Sequence, residues 1–159
     1  MSTWGFRNQP LHARKGTMGD IAEAVFEAVY PQGFARYGID RPPVAVAKLP
    51  KFVRYTPDYM TSKGLVEVQG FGRDQKFKLK VDKYDALNEW HSIFRVDLFA
   101  FDSANSRYGF MRLHDFMEAW EADGYEGSFD DGRNPFMGLH ADHLPVDRWV
   151  DYEPAEEVA

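Results

Sequence analysis

The stretch Arg54 to Gly72, RYTPDYMTSKGLVEVQGFG, carries two carboxylates nine residues apart. Asp58 follows Pro57, and Glu67 opens the triplet Glu67-Val68-Gln69. Two short apolar-rich runs joined at Ser62-Lys63-Gly64 read as a β-hairpin. With the turn centred near residues 62 and 63, positions 58 and 67 are almost symmetric about it and face each other on adjacent strands. Alternation then sets Glu67 and Gln69 on one face, with Val66 and Val68 on the other. Two like charges so placed destabilise a sheet unless something positive neutralises them. A hard divalent cation with oxygen ligands does so: magnesium is expected, with manganese as its substitute.

Several elements must position these groups. GDIAEAVFEAVY, residues 19–30, is an amphipathic helix with Ile21, Ala22, Val25, Ala28 and Val29 on one face, ended by Pro31-Gln32-Gly33. Phe34 to Tyr37 is a short strand, and Val44 to Lys48 a short apolar run closed by Pro50. Phe52 to Thr61 and Leu65 to Phe71 form the hairpin strands, with Pro57 at a bulge or an unpaired edge. Gly70 to Gln75 is a polar loop. Asp82 is a candidate N-cap for a helix over residues 83–92. FRVDLFAF (94–101) and Arg107 to Leu113 are paired strands, and His114 to Asp123 is a second amphipathic helix stopped by Gly124. The expected fold is α/β (α+β), with a mixed central sheet of about four to five strands flanked by helices. Residues 1–16 are expected as a flexible arm, 17–124 as the main domain, and 125–159 as an acidic, loop-rich extension packed on it.

In this order the residues resemble the PD-(D/E)XK nuclease superfamily. Pro57-Asp58, eight residues, then Glu67-x-Gln69 is similar to the motif, and Gly19-x-x-x-Glu23 is similar to the opening helix of Holliday-junction resolvases and related phage endonucleases. The resemblance spans about Gly19 to Leu113. It implies a restriction-endonuclease-like core and Mg2+-dependent hydrolysis of DNA, leaving 5′-phosphate and 3′-hydroxyl ends. It also implies metal binding by Asp58, Glu67, the Val68 carbonyl and Glu23, and catalysis by these acids with Gln69. The family has lysine where Gln69 stands. Either Gln69 orients the attacking water through hydrogen bonds, or one of Lys76, Lys78 and Lys80 swings into the vacant place. Homodimerisation, a branched or duplex DNA substrate and a role in phage recombination or genome processing are further implications. A sequence-specific restriction-type enzyme and a non-catalytic DNA-binding or assembly protein of the same fold are the alternatives.

Charge distribution bears on the partner. The 159 residues carry a net −6, yet residues 1–80 hold 13 Lys+Arg against 7 Asp+Glu, and residues 81–159 hold 6 against 18. A basic working half and an acidic flank fit a nucleic-acid partner. Lys63, Arg73, Lys76, Lys78 and Lys80 flank the acids in sequence and are candidate phosphate contacts, although KFKLKVDK also reads as a plain solvated face. No apolar run approaches the roughly 18–20 residues of a membrane span. The N-terminus lacks the apolar block of a secretion signal, and the chain has no cysteine. A cytoplasmic setting is expected, with the host cytoplasm if the chain is phage-encoded. His140, Asp142 and His143 form a rival zinc-type cluster with weak spacing, and Glu27 competes with Glu23 for the helix role. Trp90, Trp120, Phe94, Phe99 and Phe101 are expected in the core.

Overall fold

The structure, a computed structural model, describes residues 18–39, 48–129 and 132–154. The expected N-terminal arm and most of the apolar run at 44–48 lie outside the described residues.

Helix α1 (Met18–Val29) forms where the 3.6-residue period places it, but it buries Ala22, Val25 and Phe26, while Ile21 and Ala28 of the expected face are exposed. Strand β1 (Phe34–Arg36) follows. The span read as one strand from Phe52 to Thr61 is instead divided. A short helix, α2 (Lys51–Arg54), starts after Pro50, whose φ of −53° suits a helix entry. Only β2 (Tyr59–Thr61) is strand. Pro57 has no N–H to give a ladder, and Phe52 stacks on Trp90 with ring centroids 4.2 Å apart. That helix-to-helix contact overrides the strand-like composition.

Strand β3 (Gly64–Phe71) pairs antiparallel with β2, Tyr59 opposite Val66 and Thr61 opposite Gly64. The turn residues are Ser62 and Lys63, so the hairpin centre lies where the sequence places it. Gly64 is required there: its φ is +129°, and a Cβ would stand 2.5 Å from the Arg95 carbonyl oxygen. Strand β4 (Lys76–Lys80) runs directly into α3 (Val81–His91). The N-cap position is Lys80, and Asp82 falls within the first turn rather than capping it. Strand β5 (Val96–Asp102) returns parallel to β3 with Leu98 beside Glu67. Then come β6 (Arg107–Arg112), α4 (Leu113–Asp123), β7 (Tyr125–Ser128), β8 (Pro135–His140) and β9 (Val150–Asp151).

The result is a mixed six-stranded sheet, ordered β1-β2-β3-β5-β6-β9, and a three-stranded sheet, ordered β4-β8-β7, with four α-helices among the described residues. The α+β class agrees with the sequence; the strand count does not. The sequence reading omits β4, whose lysines alternate with fully buried Phe77 and Leu79. It also takes residues 125 onward for loop. Three strands form there instead: β8 pairs with β4, β7 with β8, and β9 caps the β6 edge.

Both faces of β3 and β5 are covered, as a parallel pair requires. One core cluster joins Leu65, Leu98 and Met111 to Phe77, Leu79 and Phe116 from the second sheet and α4. The other packs Ala22, Val25 and Phe26 of α1 against Val66, Val68 and Phe99. Trp90 and Trp120 pack against the first cluster, whereas Phe94, expected inside, is 49% exposed because it precedes β5 in a turn. No helix among the described residues is long and apolar enough to cross a membrane.

Candidate active site

Asp58 and Glu67 meet. Continuing the β2–β3 register by one step places them opposite each other, close enough that the Glu67 charge acts on the Asp58 carboxyl group. Asp58 is held from two directions. Its Oδ2 accepts from the Val68 N–H at 2.8 Å, and its carbonyl accepts from the N–H groups of Tyr37 and Gly38 at 2.9 and 3.1 Å. A side chain at Gly38 would crowd this contact, since a Cβ would lie 2.9 Å from the Pro57 carbonyl oxygen. Glu67 is 3% exposed in the middle of β3. Val66 and Val68 point to the α1 side, as alternation requires. Half-buried Gln69 follows Glu67 on the opposite face by the same alternation.

The sequence reading missed Lys83. Its Nζ lies 2.7 Å from Glu67 Oε1, and its side chain keeps 21% of its surface exposed. The parallel β3–β5 crossover explains the placement: α3 must cross the sheet face that carries Glu67, and Lys83 is in its first turn. Lys76, Lys78 and Lys80 do not take the vacant place. They stand over the rings of Tyr125, Phe136 and Phe129 in the second sheet. The missed signal was the change of period within KFKLKVDK, from two on the strand to 3.6 on the helix. That change turns Lys83 away from the other three.

Burial raises the pKa of Asp58 to about 7, and the Glu67 charge adds to the rise; Lys83, the Val68 N–H and Arg36 oppose it. Asp58 is only half-buried as a residue, although protein surrounds its carboxyl group, so water tempers the shift. Burial also raises Glu67, against the pull of Lys83. For Lys83 burial works the other way, but the Glu67 and Asp58 charges outweigh it and raise the ammonium pKa. Lys83 is thus a fixed cation at neutral pH, and the acid pair shares one proton up to about pH 7.

Glu23 comes to the rim of this group. Its Oε2 accepts from Arg36 Nη2 at 2.9 Å, and burial raises its pKa, with Asp58 contributing. Glu27 accepts from the Tyr59 hydroxyl at 2.7 Å. Among the described residues no group of three or more His, Asp or Glu side chains is gathered as a metal cage. Glu23 is tied to Arg36, and its charge and that of Asp58 act on each other. His140 Nδ1 accepts from the Asp142 N–H at 3.2 Å, and His143 faces Asp123 at 3.5 Å.

The candidate phosphate contacts are spread out. Lys63 is in the hairpin turn before β3 and Arg73 follows its end, so Glu67 lies between them along the strand. A second buried acid, Asp102, is structural. It is 0% exposed and accepts from Gln75, from Arg107, and from the backbone and side chain of Asn105. These bonds tie the loop after β3 to the β5–β6 turn.

Two carboxylates with a neighbouring main chain suit Mg2+, which binds through one or two carboxylates and completes its shell with water and phosphate oxygens. The charge balance also fits. Three acids and two cations leave one negative charge, which the shared proton cancels. A divalent ion in place of that proton leaves one positive charge, the complement of a phosphodiester. Comparison with family models, with characterised proteins and with solved structures returns no match for this chain.

Proposed function

We propose that this chain is a Mg2+-dependent DNA endonuclease that hydrolyses phosphodiester bonds at the Asp58–Glu67 pair. The observation that carries the reading is the pair itself: two facing acids, pushed towards neutrality by burial, with a lysine 2.7 Å from one of them. Asp58 and Glu67 would hold the ion, with the Val68 carbonyl beside them and Glu23 at the rim. The ion, when bound, supplies charge stabilisation at the phosphoryl group and acidifies water.

The chain's own groups do the rest. Gln69, on the Glu67 face, orients the attacking water by hydrogen bonds. Lys83 supplies the fixed positive charge that the motif lysine provides in the resembled superfamily, and stabilises charge growing on the phosphoryl oxygens. Attack forms a new P–O bond and breaks the bond to the 3′ oxygen, which leaves with a proton. Lys63 and Arg73 meet DNA phosphates on either side. A branched or duplex substrate, a homodimer cutting two strands and a cytoplasmic setting complete the reading. The β2–β3 hairpin followed by a crossover to parallel β5 supports a restriction-endonuclease-like core.

A second reading has its own support. Lys83 satisfies Glu67 without any metal, as it would in a DNA-binding or assembly protein that retains only the fold. Labelled junction, flap, duplex and single-stranded DNA, incubated with Mg2+ or EDTA, separate the two. Mg2+-dependent cleavage lost in Asp58→Ala supports the hydrolase. No cleavage of any substrate by the wild-type chain supports the binding protein. Discrete fragments from a long duplex would indicate a restriction-type enzyme.

A further inference from the structure

Along β4, Lys76, Lys78 and Lys80 alternate with Phe77 and Leu79. Phe77 and Leu79 are buried in the core, so the three lysines stand on the outer face of the three-stranded sheet. Lys78 lies beside Gly138 and Lys80 beside Phe136. One strand further, Tyr125 is opposite Gly138 and Gly127 opposite Phe136. The glycines make room for rings. A Cβ on Gly138 would fall 2.3 Å from the Tyr125 ring, and one on Gly127 would fall 2.4 Å from the Phe136 ring. The rings therefore lie down on the sheet. Lys76 sits 5.7 Å above Tyr125, Lys78 5.4 Å above Phe136 and Lys80 5.9 Å above Phe129. Tyr125 remains 37% exposed. Asp74 bridges to Lys78 at 3.2 Å across a solvated surface, a contact a phosphate can replace.

This row of cations over flat rings stands in a chain of net charge −6. Single-stranded nucleic acid matches both features, since its phosphates meet the ammonium groups and its unpaired bases stack on aromatic faces. A duplex hides its base faces, and an acidic peptide gains nothing from the rings. We propose that the outer face of the three-stranded sheet, built from Lys76, Lys78, Lys80, Tyr125 and Phe129, binds single-stranded nucleic acid. The site is separate from the Asp58–Glu67 pair and does not depend on hydrolysis there.

Fluorescence anisotropy in EDTA with a labelled oligothymidylate and a duplex of equal length tests it across a salt series. The wild-type chain is expected to bind the single strand more tightly than the duplex. Changing Lys76, Lys78 and Lys80 together to Gln, which keeps stems over the rings, should weaken single-strand binding by about tenfold or more. It should also flatten the slope of log affinity against log salt by about 2. Tyr125→Leu keeps an apolar cover on Gly138 but removes the stacking face. It should weaken binding by about fivefold or more and leave the salt slope unchanged. Equal affinity for the duplex, wild-type binding by the variants, or displacement by polyglutamate as effective as by unlabelled oligonucleotide would overturn the proposal. A chain that binds the single strand in this pattern but cleaves no DNA would sustain it while sinking the hydrolase reading.

Discussion

Asp58→Asn is expected to make the protein more stable, by a margin that opens as pH rises above about 3.8 and is complete above about 7. The folded Asp58 titrates at about 7 against 3.8 for the free group. Between those values the folded chain holds a proton that the unfolded chain has lost. Its stabilising contribution is full below the lower value and disappears as pH rises through the upper one. Just over three units at 1.36 kcal/mol each sets an upper bound of about 4 kcal/mol. The half-open position of Asp58 reduces this to about 2 kcal/mol. The asparagine oxygen can still accept from the Val68 N–H, and its amide gives Glu67 a donor at any pH. Below about pH 3.8 the variant should therefore match the wild type, and at pH 5 only about a third of the full gap should have opened. At pH 8 its urea midpoint should be higher by about 1 M, taking a slope of about 2 kcal/mol/M. Millimolar Mg2+ at pH 8 should narrow the gap by stabilising the wild type alone. Equal midpoint differences at pH 5 and pH 8, or a variant weaker at both, would refute the buried acid pair.

Three other substitutions probe the same architecture. Lys83→Met leaves two buried acids without their cation. It should cost about 2 kcal/mol at pH 8 and less at pH 5, where the pair takes up protons, and should slow single-turnover DNA cleavage about 100-fold. Asp102→Ala strands the groups that converge on a fully buried carboxylate. A loss of about 3 kcal/mol in urea unfolding, with divalent-ion binding unchanged, is expected. Gly64→Ala forces a Cβ to within 2.5 Å of the Arg95 carbonyl oxygen at φ +129°. Calorimetry should show a loss of about 2 kcal/mol or more.

The local code was legible where one rule dominated. The hairpin centre, the facing of positions 58 and 67, the burial of Val66 and Val68 and the bounds of α1 all follow from period and turn chemistry. It was not legible where tertiary contacts decided. Phe52 and Val53 look like strand residues, yet stacking on Trp90 holds them in a helix. Residues from Tyr125 onward look like loop because Gly127 and Gly138 are there, yet these glycines admit the rings that cover the second sheet. Lys83 was hidden for a topological reason. The change of period at the start of α3 separates Lys83 from the strand lysines, but its approach to Glu67 depends on the crossover between parallel β3 and β5.

Binding of Mn2+ measured by electron paramagnetic resonance tests the acid pair as a divalent-ion site most directly, because the free ion's signal falls as it is taken up. At pH 8 the wild-type chain should remove Mn2+ at a saturable site that Mg2+ competes for. Affinity should fall about tenfold per unit as pH drops below about 7, where the shared proton returns. Glu67→Gln should abolish the uptake. Wild-type and Glu67→Gln chains that leave the free Mn2+ signal equally intact at pH 8 would contradict the account.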